Sequence, residues 1–228
     1  IAGRTGMGKT SFATSLLANV ASQKVPSLML SIEMPEPQIV RKLLSSLCKI
    51  PESKLSQHDV GKDEWDVIFQ KHKELSDLPI YTSRTLYECL NSIRSHVRRY
   101  GVQFVILDYI QRVKAPQRDA RYLEVGEICD DLADLAKRMQ INICVLSQIN
   151  RGVESRTSRR PVMSDLSESG KIEESASRIF LLYREDAYDY DSKAKGIAEV
   201  NLAKNRFGAT GVAQMAFVKE LTLFADLV

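Results

Sequence analysis

The sequence predicts an α/β domain with a mostly parallel central sheet flanked by helices, followed by a C-terminal β-hairpin. Short apolar runs alternate with segments of helical periodicity along most of the 228 residues. The runs are apolar almost without interruption, as strands covered on both faces are. Near the end the pattern changes to strict alternation around a glycine-bearing turn, which indicates a hairpin. We expect residues 1–228 to form a single domain, because this length is short for two.

The apolar runs and stripes place the individual elements. Helices are predicted where apolar residues recur three or four positions apart, and each such stripe is expected to pack in the core. The predicted strands are 27–32, 104–107, 141–146 and 179–183, followed by hairpin strands at 199–203 and 212–217. The predicted stripes are Trp65, Ile68, Phe69 and Leu75, then Leu86, Leu90, Ile93 and Val97, then Val125, Ile128, Leu132, Leu135 and Met139.

Composition sets broad limits on location and partners. No apolar run approaches the roughly 20 residues that cross a bilayer, so no membrane partner is expected. The net charge of +3 permits nucleic-acid binding without requiring it. The four cysteines are widely spaced, which predicts reduced packing residues in a cytoplasmic protein. Ile1 stands where a buried strand should be ending. We therefore interpret the chain as a fragment without its N-terminal domain and the first part of strand 1.

The residues Gly3 to Thr10 match the pattern G-x-x-x-x-G-K-[ST] at every fixed position. Glycines let such a loop turn its N–H groups toward phosphates without a Cβ in the way. Lys9 is predicted to place its charge on the β and γ phosphates, and Thr10 to offer its hydroxyl to Mg²⁺. A helix starting near Gly8 adds its positive end. The expected cofactors are thus ATP and Mg²⁺. The predicted nucleotide contacts in this loop are Gly3, Arg4, Thr5, Gly6, Met7, Gly8, Lys9, Thr10 and Ser11.

Two acidic residues follow predicted buried strands. Asp108 comes directly after the run 104–107, and Glu33 closes the run 27–32. The carboxyl ends of parallel strands meet at the crevice where α/β proteins bind ligands. We expect Asp108 to hold Mg²⁺ through its water shell. For Glu33 two interpretations stay open, a base that deprotonates the attacking water or a solvated residue at a strand end.

Three polar residues further along the chain have two interpretations each. Gln148 follows the third strand, where a neutral amide can sense a γ-phosphate, although surface polarity explains it equally well. Lys204 and Arg206 flank Asn205 at the hairpin turn. A rigid hairpin holds a guanidinium at a fixed reach, as an arginine finger acting on a neighbour's ATP requires. The alternative is a solvated pair of turn cations.

The segment 151–171 is polar, basic and long for a connection without a function. Its first ten residues carry four arginines, including Arg159 and Arg160. Contact with nucleic-acid phosphates and an ordinary surface loop both fit this charge. The four-arginine stretch has no aromatic residue for base stacking, so any binding should be directed at the backbone and tolerant of sequence.

Taken together, these motifs resemble the motor domain of DnaB-type replicative DNA helicases over essentially the whole chain. The phosphate loop alone is shared by many ATPases, whereas the combination is much more specific. The blocks that carry the resemblance are 3–10, 30–34, 107–111, 146–161, 164–166, 168–170, 172–173 and 203–208.

The resemblance implies a RecA-like fold in a homohexameric ring that binds ATP between subunits and hydrolyses it to move along single-stranded DNA and unwind duplex. It makes Glu33 the catalytic base and Gln148 the γ-phosphate sensor, and it lets Arg206, with Lys204, reach the next subunit's site. A helicase loader and a primase are further implied partners. Two rival functions stay open, a filament-forming RecA-like strand-exchange or remodelling ATPase and a non-catalytic ATP-binding adaptor for helicase loading. The pair of Glu33 and Asp108 disfavours the adaptor.

The resemblance places Glu168 and Gly170 on a channel loop that meets the DNA backbone, but the chain departs from the family there. Ser167 stands where the family usually has arginine, and Lys171 could supply the missing charge. Residues 174–177 read Glu-Ser-Ala-Ser where the family tends to have Gln-Asp-Ala-Asp. These departures suggest a divergent member, in which the DNA contacts differ in detail.

Overall fold

The computed structural model describes residues 1–84, 89–113, 121–166 and 170–227. The strands there are β1 (Ala2–Gly3), β2 (Ser27–Ser31), β3 (Ile80–Ser83), β4 (Phe104–Asp108), β5 (Asn142–Val145), β6 (Ser147–Gln148), β7 (Arg178–Tyr183), β8 (Ile197–Asn205), β9 (Gly211–Val218) and β10 (Leu223–Asp226). The α-helices are α1 (Lys9–Ser22), α2 (Glu36–Cys48), α3 (Glu52–Gln57), α4 (Lys62–Ser76), α5 (Cys89–Tyr100), α6 (Arg121–Met139) and α7 (Gly170–Ser175).

The strands form two hydrogen-bonded sheets. The four-stranded sheet has the order β3-β2-β4-β5, and the six-stranded sheet has the order β6-β1-β7-β8-β9-β10. Pairing is parallel as far as β7 and antiparallel from β7 to β10. The predicted single strand 141–146 is wrong in one respect, because pairing changes at Leu146. That residue donates to the Leu107 carbonyl, and Ser147 donates to the Ile1 carbonyl. The mostly parallel sheet with a C-terminal hairpin is confirmed.

Alternate residues of the central strands pack on opposite faces of the sheet. Leu28 and Leu30 of β2 lie in a cluster with the apolar sides of α5 and α6. Met29 between them lies in a second cluster, with Leu17 of α1 and Ile39 of α2. All five of these side chains are fully buried. Both faces are covered, and this is why the strand sequences are continuously apolar.

The predicted stripes of α5 and α6 pack in the core where they fall on described residues, whereas Leu86 lies outside them. The α4 stripe is only partly correct. Ile68 is buried, but Trp65 and Phe69 are 47% and 71% exposed. They are four positions apart and share a helix face turned away from the packed one, where their ring centroids are 5.8 Å apart.

Two further expectations concern the state of the cysteines and the presence of membrane-spanning helices. Cys48, Cys89, Cys129 and Cys144 all carry free thiols, and the first three are buried. Within the described ranges, no helix combines the length and apolarity that a bilayer crossing needs.

Candidate active site

The loop between β1 and α1 follows a backbone path that requires glycine. Gly6 and Gly8 have φ angles of 84° and 91°, in the left-handed region that side chains disfavour. A Cβ on Gly8 would also lie 3.0 Å from the Phe224 ring. Gly8 caps α1 without a side-chain hydrogen bond, so no side chain competes for the first helix amides. These amides and the positive helix end form an anion site.

Lys9 lies across this loop. Its Nζ donates to the carbonyl oxygens of Gly3 at 2.9 Å and Arg4 at 3.1 Å. Burial lowers the pKa of Lys9 to about 8, against the opposing effect of Asp108. A phosphate beside the ammonium would stabilise its charge and could replace the two carbonyls. The lysine predicted to bind phosphates is therefore placed to do so.

Asp108 ends β4 as a buried carboxylate, 3% exposed. The Thr10 hydroxyl donates to its Oδ2 at 2.9 Å. Burial raises the pKa of Asp108, and the hydrogen bond from Thr10 opposes that rise. A hydroxyl and a carboxylate oxygen this close are hard donors of the kind that Mg²⁺ takes, usually alongside phosphate and water oxygens. The pair predicted to hold the metal is thus assembled and fits a magnesium ion.

Glu33 reaches the same edge of the sheet from β2. Ser31 lies opposite Asp108, and the Ile32 amide donates to the Asp108 carbonyl at 2.9 Å. Glu33 follows as an exposed residue. The negative charge of Glu33 acts on both neighbours. Burial is the main cause of the raised pKa of Asp108, and Glu33 adds to that rise. Burial is also the main cause of the lowered pKa of Lys9, and Glu33 partly opposes that fall. The structure therefore brings these three predicted residues together, with Glu33 on the solvent side.

Gln148 lies on the other flank of the phosphate loop. β6 pairs with β1 so that Gln148 is opposite Gly3, and its Nε2 donates to the Thr5 hydroxyl at 3.0 Å. Gln111, which was not predicted as a site residue, holds this strand end. Its Nε2 donates to the Ser147 hydroxyl at 2.9 Å and to the Gln148 carbonyl at 3.2 Å. The amide of Gln148 thus contacts the loop directly.

Three of the loop residues predicted to contact nucleotide have side chains that are buried in the protein. Arg4 is 8% exposed. Its Nε donates to Glu154 Oε1 at 2.7 Å, and its Nη1 donates to the Ile149 carbonyl at 3.2 Å. Met7 and Ser11 are also buried. What these three residues can offer a nucleotide is mainly backbone.

A second buried arginine, Arg184, supports the loop from the end of β7 and was missed. It is 7% exposed, and its Nη1 donates to the Gly6 carbonyl at 3.2 Å. Asp186 pairs with it at 3.0 Å, and its guanidinium lies 4.3 Å from the centre of the Phe217 ring. A single arginine after an apolar strand belongs to no spacing pattern, so the sequence carries no signal for this role.

Lys42 of α2 is a further cation near the site. Burial lowers the pKa of Lys42, while the charges of Glu52 and Asp108 oppose this effect. Lys42 in turn acts on the Asp108 carboxylate, where it favours the charged form. It sits in the middle of a helix without a motif, which is why it was not singled out.

The strand register shows that the hairpin turn and the phosphate loop lie at opposite ends of the strands. In the parallel pair, Ala2 lies opposite Leu181 of β7. In the antiparallel pair, Arg178 at the start of β7 lies opposite Asn205. The phosphate loop leaves β1 toward one edge, and the hairpin turn leaves β8 toward the other. The turn cations therefore lie away from the phosphate loop of their own chain.

Both turn cations contact α7. Lys204 Nζ donates to the Glu173 carbonyl, and Arg206 Nη2 donates to the Glu174 carbonyl. Carbonyls in the last turn of a helix are the groups that cations stabilise. Lys204 and Arg206 are thus held against the helix that follows the predicted DNA loop.

The two arginines predicted to bind DNA have different surroundings. Arg160 donates from Nε and Nη2 to the two carboxylate oxygens of Glu199, at 2.8 and 2.6 Å. Arg159 lies over the Tyr188 ring, 5.1 Å from its centre. A phosphate would have to compete with the Glu199 carboxylate for Arg160. The contact that Arg159 makes is with a ring, so a phosphate would not have to displace a carboxylate from that contact.

The predicted channel loop is described only at its end. Gly170 starts α7 and is exposed. Lys171 lies 3.3 Å from Glu174 and 3.9 Å from Asp130 of α6. The hydroxyl of Ser175 donates to the same aspartate at 2.7 Å, so one residue that departs from the family pattern attaches α7 to α6. Ser167 and Glu168 lie outside the described residues.

Comparisons with known proteins agree with this geometry. The model of the DnaB-like helicase C-terminal domain matches residues 1–226. Replicative DNA helicase DnaC of Bacillus subtilis (strain 168) is 36% identical over 234 residues, which cover 100% of this chain and 52% of that protein. Replicative DNA helicase DnaB of Haemophilus influenzae is 36% identical over 238 residues, covering 100% and 50%. The chain spans about half the length of these curated relatives.

Two solved structures are similar over 100% of the chain, each with a TM-score of 0.93 and 32% identity. One is an ATPase domain, of which 83% is covered. The other is a DnaB-like replicative helicase described with its interactions with primase, of which 56% is covered.

Proposed function

Because the chain belongs to the family of DnaB-like helicase C-terminal domains, we propose that it is the ATP-driven motor of a replicative DNA helicase. It hydrolyses ATP at subunit interfaces, moves along single-stranded DNA and separates the duplex. One observation carries this proposal: Lys9, Asp108 and Glu33 lie together beyond the carboxyl ends of parallel strands, whereas Arg206 lies at the opposite end of the strands of its sheet. A chain built in this way completes its site only beside a second copy.

The phosphate loop holds the nucleotide. Lys9 and the first amides of α1 take the phosphates, and Thr10 and Asp108 hold Mg²⁺. The metal supplies charge neutralisation at the phosphate oxygens. Beside residues 5–7, an open cavity of about 580 Å³ that Tyr188 also lines has room for the rest of the nucleotide.

Glu33 is the general base in this proposal. It is exposed at the mouth of the site, where a water molecule can reach it. The buried carboxylate of Asp108 is engaged by Thr10, so the two acids have separate tasks. Gln148, bonded to Thr5 of the loop, reports on the γ-phosphate. Two acids in these positions disfavour a non-catalytic adaptor.

Arg206, assisted by Lys204, acts on the ATP of the adjacent subunit. Its position at the far edge of the sheet excludes its own site and suits a neighbour's. Head-to-tail contact of this kind closes into a ring or continues as a filament. The family favours a ring of six over a strand-exchange filament. A primase and a helicase loader are the proposed partners, and the four free thiols suit the reducing cytoplasm.

Single-stranded DNA is the proposed track, and its sugar-phosphate backbone is the part recognised. The contacts are assigned to the loop before α7 and the basic segment before it. They are Arg159, Arg160, Glu168, Gly170 and Lys171. Arg159 is the more available of the two arginines, because Arg160 is bound to Glu199.

The test is ATP turnover and strand displacement on a forked substrate by the natural full-length protein. Turnover should rise when single-stranded DNA is added, and Lys9→Ala should abolish both activities. Electron microscopy of the ATP-bound protein should show closed rings. DNA-independent turnover with no strand displacement would refute the motor, and filaments would favour the strand-exchange alternative.

A further inference from the structure

Two consecutive residues of the phosphate loop, Arg4 and Thr5, contact the end of β6 and the segment that follows it. The Arg4 guanidinium lies 2.7 Å from Glu154 and donates to the Ile149 carbonyl at 3.2 Å. Next to it, the Thr5 hydroxyl accepts a hydrogen bond from Gln148 at 3.0 Å. Residues 148 to 154 are therefore attached to the loop by the buried Arg4 guanidinium and by the side-chain amide of Gln148.

The same segment continues to the start of the predicted DNA loop. Ile149 forms an antiparallel bridge with Leu166, and both side chains lie in one buried cluster. The Asn150 amide donates to the Asp165 carbonyl at 2.8 Å. Leu166 immediately precedes residues 167–171. A continuous path of contacts thus connects the phosphate loop to the place where the DNA loop begins.

Phosphate binding acts on the first member of this path. Lys9 donates to the Arg4 carbonyl at 3.1 Å, and a phosphate would draw the ammonium away from it. Arg4 is anchored at its other end, because its side chain is only 10% exposed whereas that of Glu154 is 46% exposed. A largely buried guanidinium is costly to leave without its carboxylate. When the Arg4 backbone moves, the ion pair is therefore kept, and Glu154 moves with Arg4.

We propose that Arg4 and Glu154 are positioning residues that couple the occupancy of the ATP site to the DNA loop. This inference rests on the proposed function. Neither side chain touches DNA, and Glu154 acts through Arg4. Because coupling between two sites is reciprocal, DNA on the loop also sets the geometry of Thr5 and Gln148 through the same pair.

The experiment uses the natural full-length protein and an oligo-thymidine single strand. ATP turnover is measured with and without the oligonucleotide, across ATP concentrations, for wild type, Glu154→Gln, Arg4→Gln and the double variant. Glu154→Gln should lower the stimulation by DNA, which is the ratio of turnover with DNA to turnover without it at saturating ATP, about fivefold or more. The double variant should lose no more stimulation than Arg4→Gln, because residues in one contact are not additive.

Two further variants separate coupling from stability. Glu64→Gln removes a surface ion pair of 2.6 Å to Lys54, and it should leave the stimulation unchanged. Glu154→Asp keeps the charge on a shorter side chain, so it should recover part of the stimulation. It also serves as the test variant if Glu154→Gln does not assemble.

The outcomes are distinguishable. A wild-type protein that DNA does not stimulate overturns the proposed function and this inference with it. Full stimulation in Glu154→Gln overturns the inference alone, and so does an equal loss of stimulation in Glu64→Gln. Strictly additive losses in the double variant have the same consequence. A loss that scales basal and stimulated turnover equally also overturns the inference, because a structural brace would produce it.

Discussion

The strongest consequence of the proposed function is that Arg206 should complete the site of another subunit. Along β7, the position opposite Ala2 (Leu181) and the position opposite Asn205 (Arg178) are three residue steps apart. That is about 10 Å of strand. Lys9 lies beyond one end of this span and Arg206 beyond the other, so an arginine side chain cannot bridge it. Removing an arginine finger costs about 10³-fold or more in turnover, and Arg206→Ala should lose that much in assembled rings.

Mixed rings test the geometry directly. Lys9→Ala subunits keep the arginine but lose the phosphate site, and Arg206→Ala subunits have the reverse defect. Each variant alone should be inactive. When the two are co-expressed in equal amounts, an Arg206→Ala site beside a Lys9→Ala neighbour regains both elements, which happens at about one interface in four in a head-to-tail ring.

The assay is DNA-stimulated release of phosphate from ATP by co-purified rings, compared with each variant alone and with wild type. Wild type mixed with Lys9→Ala is the control for dilution of active subunits. An inactive mixture of proven rings would refute the trans arrangement, because a finger acting within its own chain cannot be rescued. Full activity of Arg206→Ala rings would refute any role for the residue.

Three further predictions follow from the site. Because the pKa of Lys9 is about 8 and phosphate stabilises its charged form, Mg-ADP binding should take up a proton above pH 8, and its affinity should fall by up to about tenfold per pH unit there. Calorimetry at pH 9 in buffers of different ionisation enthalpy measures the uptake, and buffer-independent heats would contradict it. Asp108→Asn should raise the Mg²⁺ concentration for half-maximal turnover about tenfold or more, and an unchanged magnesium titration would argue against Thr10 and Asp108 as the metal pair. Gly8→Ala should destabilise the fold by about 2 kcal/mol, because Gly8 has a left-handed φ and a Cβ there would contact Phe224. Thermal denaturation measures this, with Gly152→Ala as the matched control because a Cβ at Gly152 meets open space.

Local patterns in the sequence predicted most of the scaffold of the site. The phosphate loop is a contiguous motif, and Asp108 and Glu33 follow apolar runs that are typical of buried strands. Family membership confirmed the resemblance drawn from these motifs. Such features are predictable because strand and helix periodicities, and the glycine positions of a tight loop, are properties of short segments.

The same patterns could not predict which way a side chain turns once the segments meet. Trp65 and Phe69 belong to an apolar stripe, yet they face away from the packed side of α4. The strand predicted at 141–146 changes partners at Leu146 because two sheets meet there. Whether a face is covered depends on elements distant in sequence.

The sequence by itself determined that this protein carries a phosphate-binding loop and acids that directly follow two buried strands. Only the tertiary structure decided that Arg4 turns inward to Glu154, 150 positions away, and that Arg206 lies at the opposite end of the strands from the phosphate loop. The reason is physical. A contact between remote residues depends on strand order, register and burial, which the folded chain sets jointly and no short pattern encodes.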